Sequence, residues 1–174
     1  MKTILKFLNV FILIFIISLI VDAFGKLYSI IHYLLDNSDK IKIDETIFPT
    51  QWSNLSIILY IVIGSILLLF LAYLALIFRR VIKSFSRNSY FSGKNVTQLF
   101  NVGKGLIIYG LGVFILTLIL NFFSIEFSPY NFGRVIGMSL AKSIPVFIFS
   151  SFALLIASII KKGNVLKNEN DLTI

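Results

Sequence analysis

The chain has 174 residues, 57% of them hydrophobic and 14% charged, against roughly 25% charged in an ordinary soluble domain. With eighteen Phe and a mean hydropathy of +0.94, it has too little polar surface to wrap a water-soluble globule, and the composition points to a membrane. The absence of Cys excludes disulfides, thiolate metal sites and a Cys nucleophile, a single His (His32) leaves no pair for zinc, and the net charge of +8 comes from basic residues that flank apolar runs instead of forming a groove-sized patch for nucleic acid.

A hydrocarbon layer about 30 Å thick takes about 20 mostly apolar residues at 1.5 Å each. Four runs of that kind, bounded by charge, predict an all-α chain, a four-transmembrane-helix bundle forming a single membrane domain over residues 1–174. The first span covers about 5–24, between Lys6 and Asp22. Lys2 and Lys6 before an apolar stretch, with Val21-Asp22-Ala23 after it, loosely imitate a secretory signal. An acidic residue beside the cut is unfavourable, and helical apolar spacing continues through Leu27, Ile30, Ile31, Leu34 and Leu35, so the reading is a retained helix.

The outer connection, 25–54, continues that helix, turns at Asp36-Asn37-Ser38-Asp39, and alternates like a short strand around Ile41 and Ile43. Pro49 and Trp52 then lead into the second span, 57–78, which contains no charge and ends at Arg79-Arg80. About thirty residues form at most a small cap, not an independent domain.

The middle connection, 79–104, is cytoplasmic in this reading. Ser92 is placed as a helix N-cap, with Phe91 before it stapling onto Val96, so the chain should return to helix near Gly93. Val96, Leu99 and Phe100 share one face of that helix, which joins the third span, 105–123. It is read either as an amphipathic segment at the inner surface, its basic residues touching anionic lipid, or as a docking face for a cytoplasmic partner. The fourth span, 135–160, contains Lys142 and Pro145, and a tail, 161–174, follows.

Lys and Arg resist translocation, so their distribution orients the chain. The head, middle connection and tail hold eleven of the sixteen, opposed there only by Glu169 and Asp171, whereas the other side holds five against six acids. Both termini and the middle connection are therefore expected in the cytoplasm.

Ionisable groups within spans are costly and count as functional candidates. Asp22 lies about 24 Å along the helix from Lys6, and Lys142 lies about 27 Å before Ile160 on an oppositely directed span. Both reach similar depth near the outer boundary, where either each side chain extends separately to the outer headgroups or the two form an Asp22–Lys142 ion pair tying the first helix to the last. Asn9 and Asn121 are read as amides that bond between helices. Gly133, Gly137, Ala141, Ala153 and Ala157 repeat small side chains at four-residue spacing, as a packing face within the bundle or against a second copy. No convergent acid, base or nucleophile set and no Gly-rich phosphate loop is present, so neither enzyme activity nor a cofactor is expected, and spans one and two do not repeat in three and four.

The stretch Asn88-Ser89-Tyr90-Phe91-Ser92-Gly93-Lys94-Asn95-Val96, with Leu99 and Gly103 after it, and the tail Leu166-Lys167-Asn168-Glu169-Asn170-Asp171-Leu172-Thr173-Ile174 resemble a bacterial membrane family catalogued as domain of unknown function 2975. Phe100 stands where family members carry a basic residue. The resemblance implies a four-helix plasma-membrane protein with no assigned activity, and a small helix-turn-helix regulator of the Cro/C1 type as cytoplasmic partner. Glu169 and Asp171 on a stem of Lys161, Lys162 and Lys167 make an acidic tip on a basic stalk, read either as a frayed, solvated tail or as a docking element with Leu172 and Ile174 as apolar anchors.

The expectation is thus a regulatory or interaction protein of a bacterial inner membrane that docks its partner through Phe91, Ser92, Asn95, Val96, Leu99, Glu169, Asp171, Leu172 and Ile174. The alternative is a small transporter or channel subunit whose polar path runs past Asp22, Lys142, Asn121 and Pro145.

Overall fold

The computed structural model of the chain describes residues 2–36, 52–87, 92–124 and 131–171. They form α1 (Lys2–Asp36), α2 (Asn54–Ser86), α3 (Gly93–Ser124) and α4 (Phe132–Asp171). All four are long and apolar enough to cross a membrane, and the chain is a multi-pass, all-helical protein whose outer surface meets lipid. Even the shortest, α3 with 32 residues, is about 48 Å long against a hydrocarbon core of about 30 Å. Each helix therefore carries its apolar segment past the lipid boundary without a break.

Local chemistry accounts for several helix ends. The Ser56 backbone N–H donates to Ser53 Oγ at 3.3 Å, which caps α2, and the Arg87 N–H closes its other end on the Ser84 and Phe85 carbonyls. At the start of α3 the Asn95 N–H donates to Ser92 Oγ at 3.2 Å, the cap the sequence predicts. The staple partner Phe91 lies outside the described residues, as do the alternating stretch around Ile41 and Ile43 and the turn beyond Asp36. From Gly93 the re-entering helix and the third span are one continuous element. α1 runs unbroken through Val21-Asp22-Ala23 to Asp36, because once a helix is nucleated each further residue adds a backbone hydrogen bond. α4 likewise persists through Pro145, which supplies no N–H to the Ala141 carbonyl one turn earlier.

Each helix packs on its neighbours in sequence: α1 on α2, α2 on α3 and, most extensively, α3 on α4. Among the described residues the backbones of α1 and α4 do not pack on each other, so the four-helix bundle is an open row whose first and last helices are not joined. The reason lies in α3. Gly103 and Gly110 are notches for Leu154 and Phe147 of α4, whereas Gly105 and Gly112 are notches for Leu74 and Leu67 of α2. The two notch pairs lie about 160° apart on the helix at 100° per residue, which holds α2 and α4 on opposite sides of α3. A Cβ at Gly103 would stand 2.6 Å from Leu154 Cγ and 3.3 Å from the Leu154 backbone nitrogen, so only glycine permits this approach.

Three apolar clusters fill the row. Ile12, Ile16 and Leu19 of α1 meet Ala72 and Ile82 of α2. Ile30 meets Ile57 and Ile61 near Trp52, whose indole also makes edge contacts with Tyr60 and Phe123. At the opposite end, where α2 runs toward α3, Val81, Val96, Leu99, Ala157 and Ile160 gather side chains of three helices.

Candidate functional site

Asp22 and Lys142, matched in depth, are not brought together. The Lys26 ammonium donates to Asp22 Oδ2 at 3.2 Å, one turn along the same helix, while Lys142 is exposed on α4. The ion pair that the matched depth allows is thereby corrected to a pair within α1. Helical rise sets how deep a side chain sits but not which helix stands beside it, and α2 and α3 separate α1 from α4 in the row. Asn121 and Pro145 do not join them in a common path either: the Asn121 amide donates to Ser139 Oγ at 3.0 Å, and Pro145 is exposed.

Both candidate amides do bond between helices. Besides the Asn121 contact across α3 and α4, Arg79 Nε of α2 donates to Asn9 Oδ1 of α1 at 2.9 Å. A third bond, from Ser150 Oγ to the Gly103 carbonyl at 2.7 Å, joins α4 to the notch in α3. Among the described residues no buried side-chain nitrogen or oxygen lacks a partner.

The small-residue stripe divides. Ala153 and Ala157 are buried, but Gly133, Gly137 and Ala141 are exposed, with open space around the two glycines. Ala141 and Ala153 are twelve residues apart, about 120° round the helix at 100° per residue, so the four-residue repeat changes face between them. The face that packs on α3 instead runs through Val135, Ser139, Ser143, Ser150, Ala153, Ala157 and Ile160, all buried. Sequence alone does not mark these serines as packing residues, because hydropathy scores each as an isolated polar side chain. Ser139 and Ser143 each donate to a carbonyl one turn earlier, which lets a hydroxyl occupy a lipid-depth interface without an unpaired proton.

At the end of the row where α2 approaches α3, the expected docking face is closed. Asn95 and Leu99 are 1% and 2% exposed and Val96 is also buried; Val81 and Phe85 of α2 and Ala157 and Ile160 of α4 cluster with Val96 and Leu99. Their common face was legible in the sequence; the neighbouring helices that cover it were not. Ser92 is half-buried at its cap position, and Phe91, Leu172 and Ile174 lie outside the described residues.

What stays open is the end of α4. The helix runs eleven residues beyond Ile160 to Asp171, about 16 Å. Lys161, Lys162, Val165, Leu166, Lys167, Asn168 and Glu169 on it are exposed. Elsewhere on α4 a shallow apolar groove of about 330 Å³ runs along Ile144, Phe147, Ile148, Ser151, Phe152 and Leu155. Among the described residues no three His, Asp or Glu side chains gather where they could hold a metal ion.

A profile of a family described as "Protein of unknown function (DUF2975)" matches residues 41–174. No curated protein and no solved structure matches the chain.

Proposed function

The chain belongs to the DUF2975 family, whose description carries no activity, and we propose that it is a non-enzymatic interaction protein of a bacterial plasma membrane that docks a cytoplasmic partner on the end of α4. The observation that supports this reading is the projecting helical end, which presents exposed Val165 and Leu166 amid Lys161, Lys162, Lys167 and Glu169. An apolar pair on a helix that has left the lipid is costly in water, and a partner covering it would recover that cost. The acidic tip, Glu169 and Asp171, complements a basic surface such as that of a small helix-turn-helix regulator. The Asn95-Val96-Leu99 face takes no part, since it is already covered.

The basic residues at this end, Lys6, Arg79, Arg80, Lys83, Arg87, Lys94, Lys104, Lys161, Lys162 and Lys167, support a cytoplasmic location for it through the positive-inside rule. The lack of Cys in the chain makes orientation directly measurable: a thiol introduced as Asn168→Cys should be labelled by a membrane-impermeant maleimide in inverted vesicles and not in intact cells. A photo-crosslinker at Leu166 in native membranes should capture a small DNA-binding protein. That product should disappear when Glu169→Lys is combined with Asp171→Lys. Capture of lipid and of the protein itself alone, or labelling of Asn168→Cys from outside intact cells, would overturn the reading.

A further inference from the structure

The edge of the α1–α2 seam carries an arginine whose geometry the docking reading does not use. Arg79 is half-buried, and its Nε is occupied by the neutral Asn9 carbonyl oxygen. That single bond fixes the plane of the guanidinium and leaves its remaining N–H donors for another acceptor. No carboxylate accompanies Arg79 among the described residues, and no Asp or Glu occurs in the sequence between Glu45 and Glu126 or before Asp22. Lys6, three residues before Asn9, and Lys83, four after Arg79, fall on the same edge by helical spacing, and both are exposed. Three basic residues thus share one edge, with no Asp or Glu near them in the sequence.

The depth of that place identifies the anion. Arg79 directly follows the uncharged run that ends at Phe78, which sets it at the boundary between hydrocarbon and headgroups. Toward the bilayer centre the same edge turns apolar: Ile17 on α1 and Leu69 and Leu76 on α2 are exposed, with buried Ala72 as the floor between the helices. A ligand that fits both parts is a phosphate with an acyl chain attached.

We propose that the α1–α2 seam is a binding site for an anionic phospholipid, with its phosphate on Arg79, Lys6 and Lys83 and one acyl chain in the groove over Ala72. The bidentate geometry of guanidinium and phosphate suits an arginine whose Nε is already engaged. The site depends on the chain crossing the membrane and not on the docking role of α4, so failure of either leaves the other standing.

The test uses the full chain purified in mild detergent, freed of endogenous lipid and titrated with phosphatidylglycerol or phosphatidylcholine, with bound lipid counted by native mass spectrometry. One phosphatidylglycerol should be retained about tenfold more tightly than phosphatidylcholine, and Arg79→Gln should remove about that preference. Lys104→Gln removes a positive charge from exposed Lys104 on α3, off the α1–α2 seam, and should leave retention nearly unchanged. Glycerol phosphate, the soluble headgroup, should fail to displace the lipid; displacement by it at matched concentration would assign the site to a free phosphate and overturn the lipid assignment. Equal losses for Arg79→Gln and Lys104→Gln would reduce the site to a diffuse basic field, and equal retention of the two lipids would show no selection for an anion and overturn the proposal. If Arg79→Gln does not fold, Asn9→Val keeps every charge and removes only the orienting bond; it should weaken phosphatidylglycerol retention several-fold, and unchanged retention would overturn the proposal.

Discussion

The two outer seams of the row are built on opposite principles. Between α3 and α4 small residues open the seam: Gly103 and Gly110 receive Leu154 and Phe147, Ser139, Ser143, Ser150, Ala153 and Ala157 are buried on the α4 side, and hydrogen bonds cross at Ser150 and Asn121. Between α1 and α2 the packed residues are large aliphatics, Ile12, Ile16 and Leu19 with Leu68 and Leu71 opposite, and the polar bond from Arg79 to Asn9 sits at the edge. In water both seams would be driven together by the hydrophobic effect. In lipid that drive is lost, since an acyl chain solvates Leu or Ile about as well as another helix does. What lipid cannot replace is close backbone approach and a satisfied hydroxyl. The α3–α4 pair is therefore the stiff unit of this protein, and the α1–α2 seam, where a lipid site is proposed, is the more permissive one.

The largest expected effect attacks the notch. Gly103→Leu should destabilise the protein by about 3 kcal/mol in a detergent unfolding titration, because the new side chain displaces Leu154 and presses on its backbone. The matching change in the other seam, Ile16→Val, should cost only about 1 kcal/mol, and equal losses would erase the distinction between the seams. Ser150→Ala, which strips the Gly103 carbonyl of its interhelical donor, should cost about 1 kcal/mol by the same measurement. Asn9→Leu and Asn121→Leu should each cost about 0.6 kcal/mol; a much larger loss for Asn9→Leu would show that the aliphatic seam depends on its polar edge. The smallest effect concerns charge. A double-mutant cycle of Asp22→Asn with Lys26→Gln should reveal a coupling of about 0.3 kcal/mol, while Asp22→Asn and Lys142→Gln should simply add, as independent sites do. Coupling in the second pair would mean that α1 and α4 meet and that the row closes.

Much of this architecture was readable before any coordinates. The four apolar runs, the cap at Ser92, the continuation of α1 past Asp22 and the interhelical use of Asn9 and Asn121 depend on local chemistry or on the cost of an amide in hydrocarbon. The candidate docking residues fared differently. Val96 and Leu99 were correctly placed on one face, but a shared face is equally suited to docking a partner and to packing on the chain's own helices. Only the presence of Val81 and Ala157 decides between the two, and both lie far away in sequence. Ser139 and Ser143 are not legible as packing residues for the complementary reason: a hydroxyl bonded within its own helix behaves as a small packing residue, and hydropathy does not register it as one.

Hydropathy and helical rise are properties of one chain segment at a time, so the sequence alone determined how many times the chain crosses the membrane and how deep each charged side chain lies. Which helices touch was decided by tertiary structure, through the two sets of glycine notches on opposite faces of α3. Those notches receive Leu74 and Leu67 on one side and Leu154 and Phe147 on the other, and that placement holds α1 and α4 apart however well their charges match in depth.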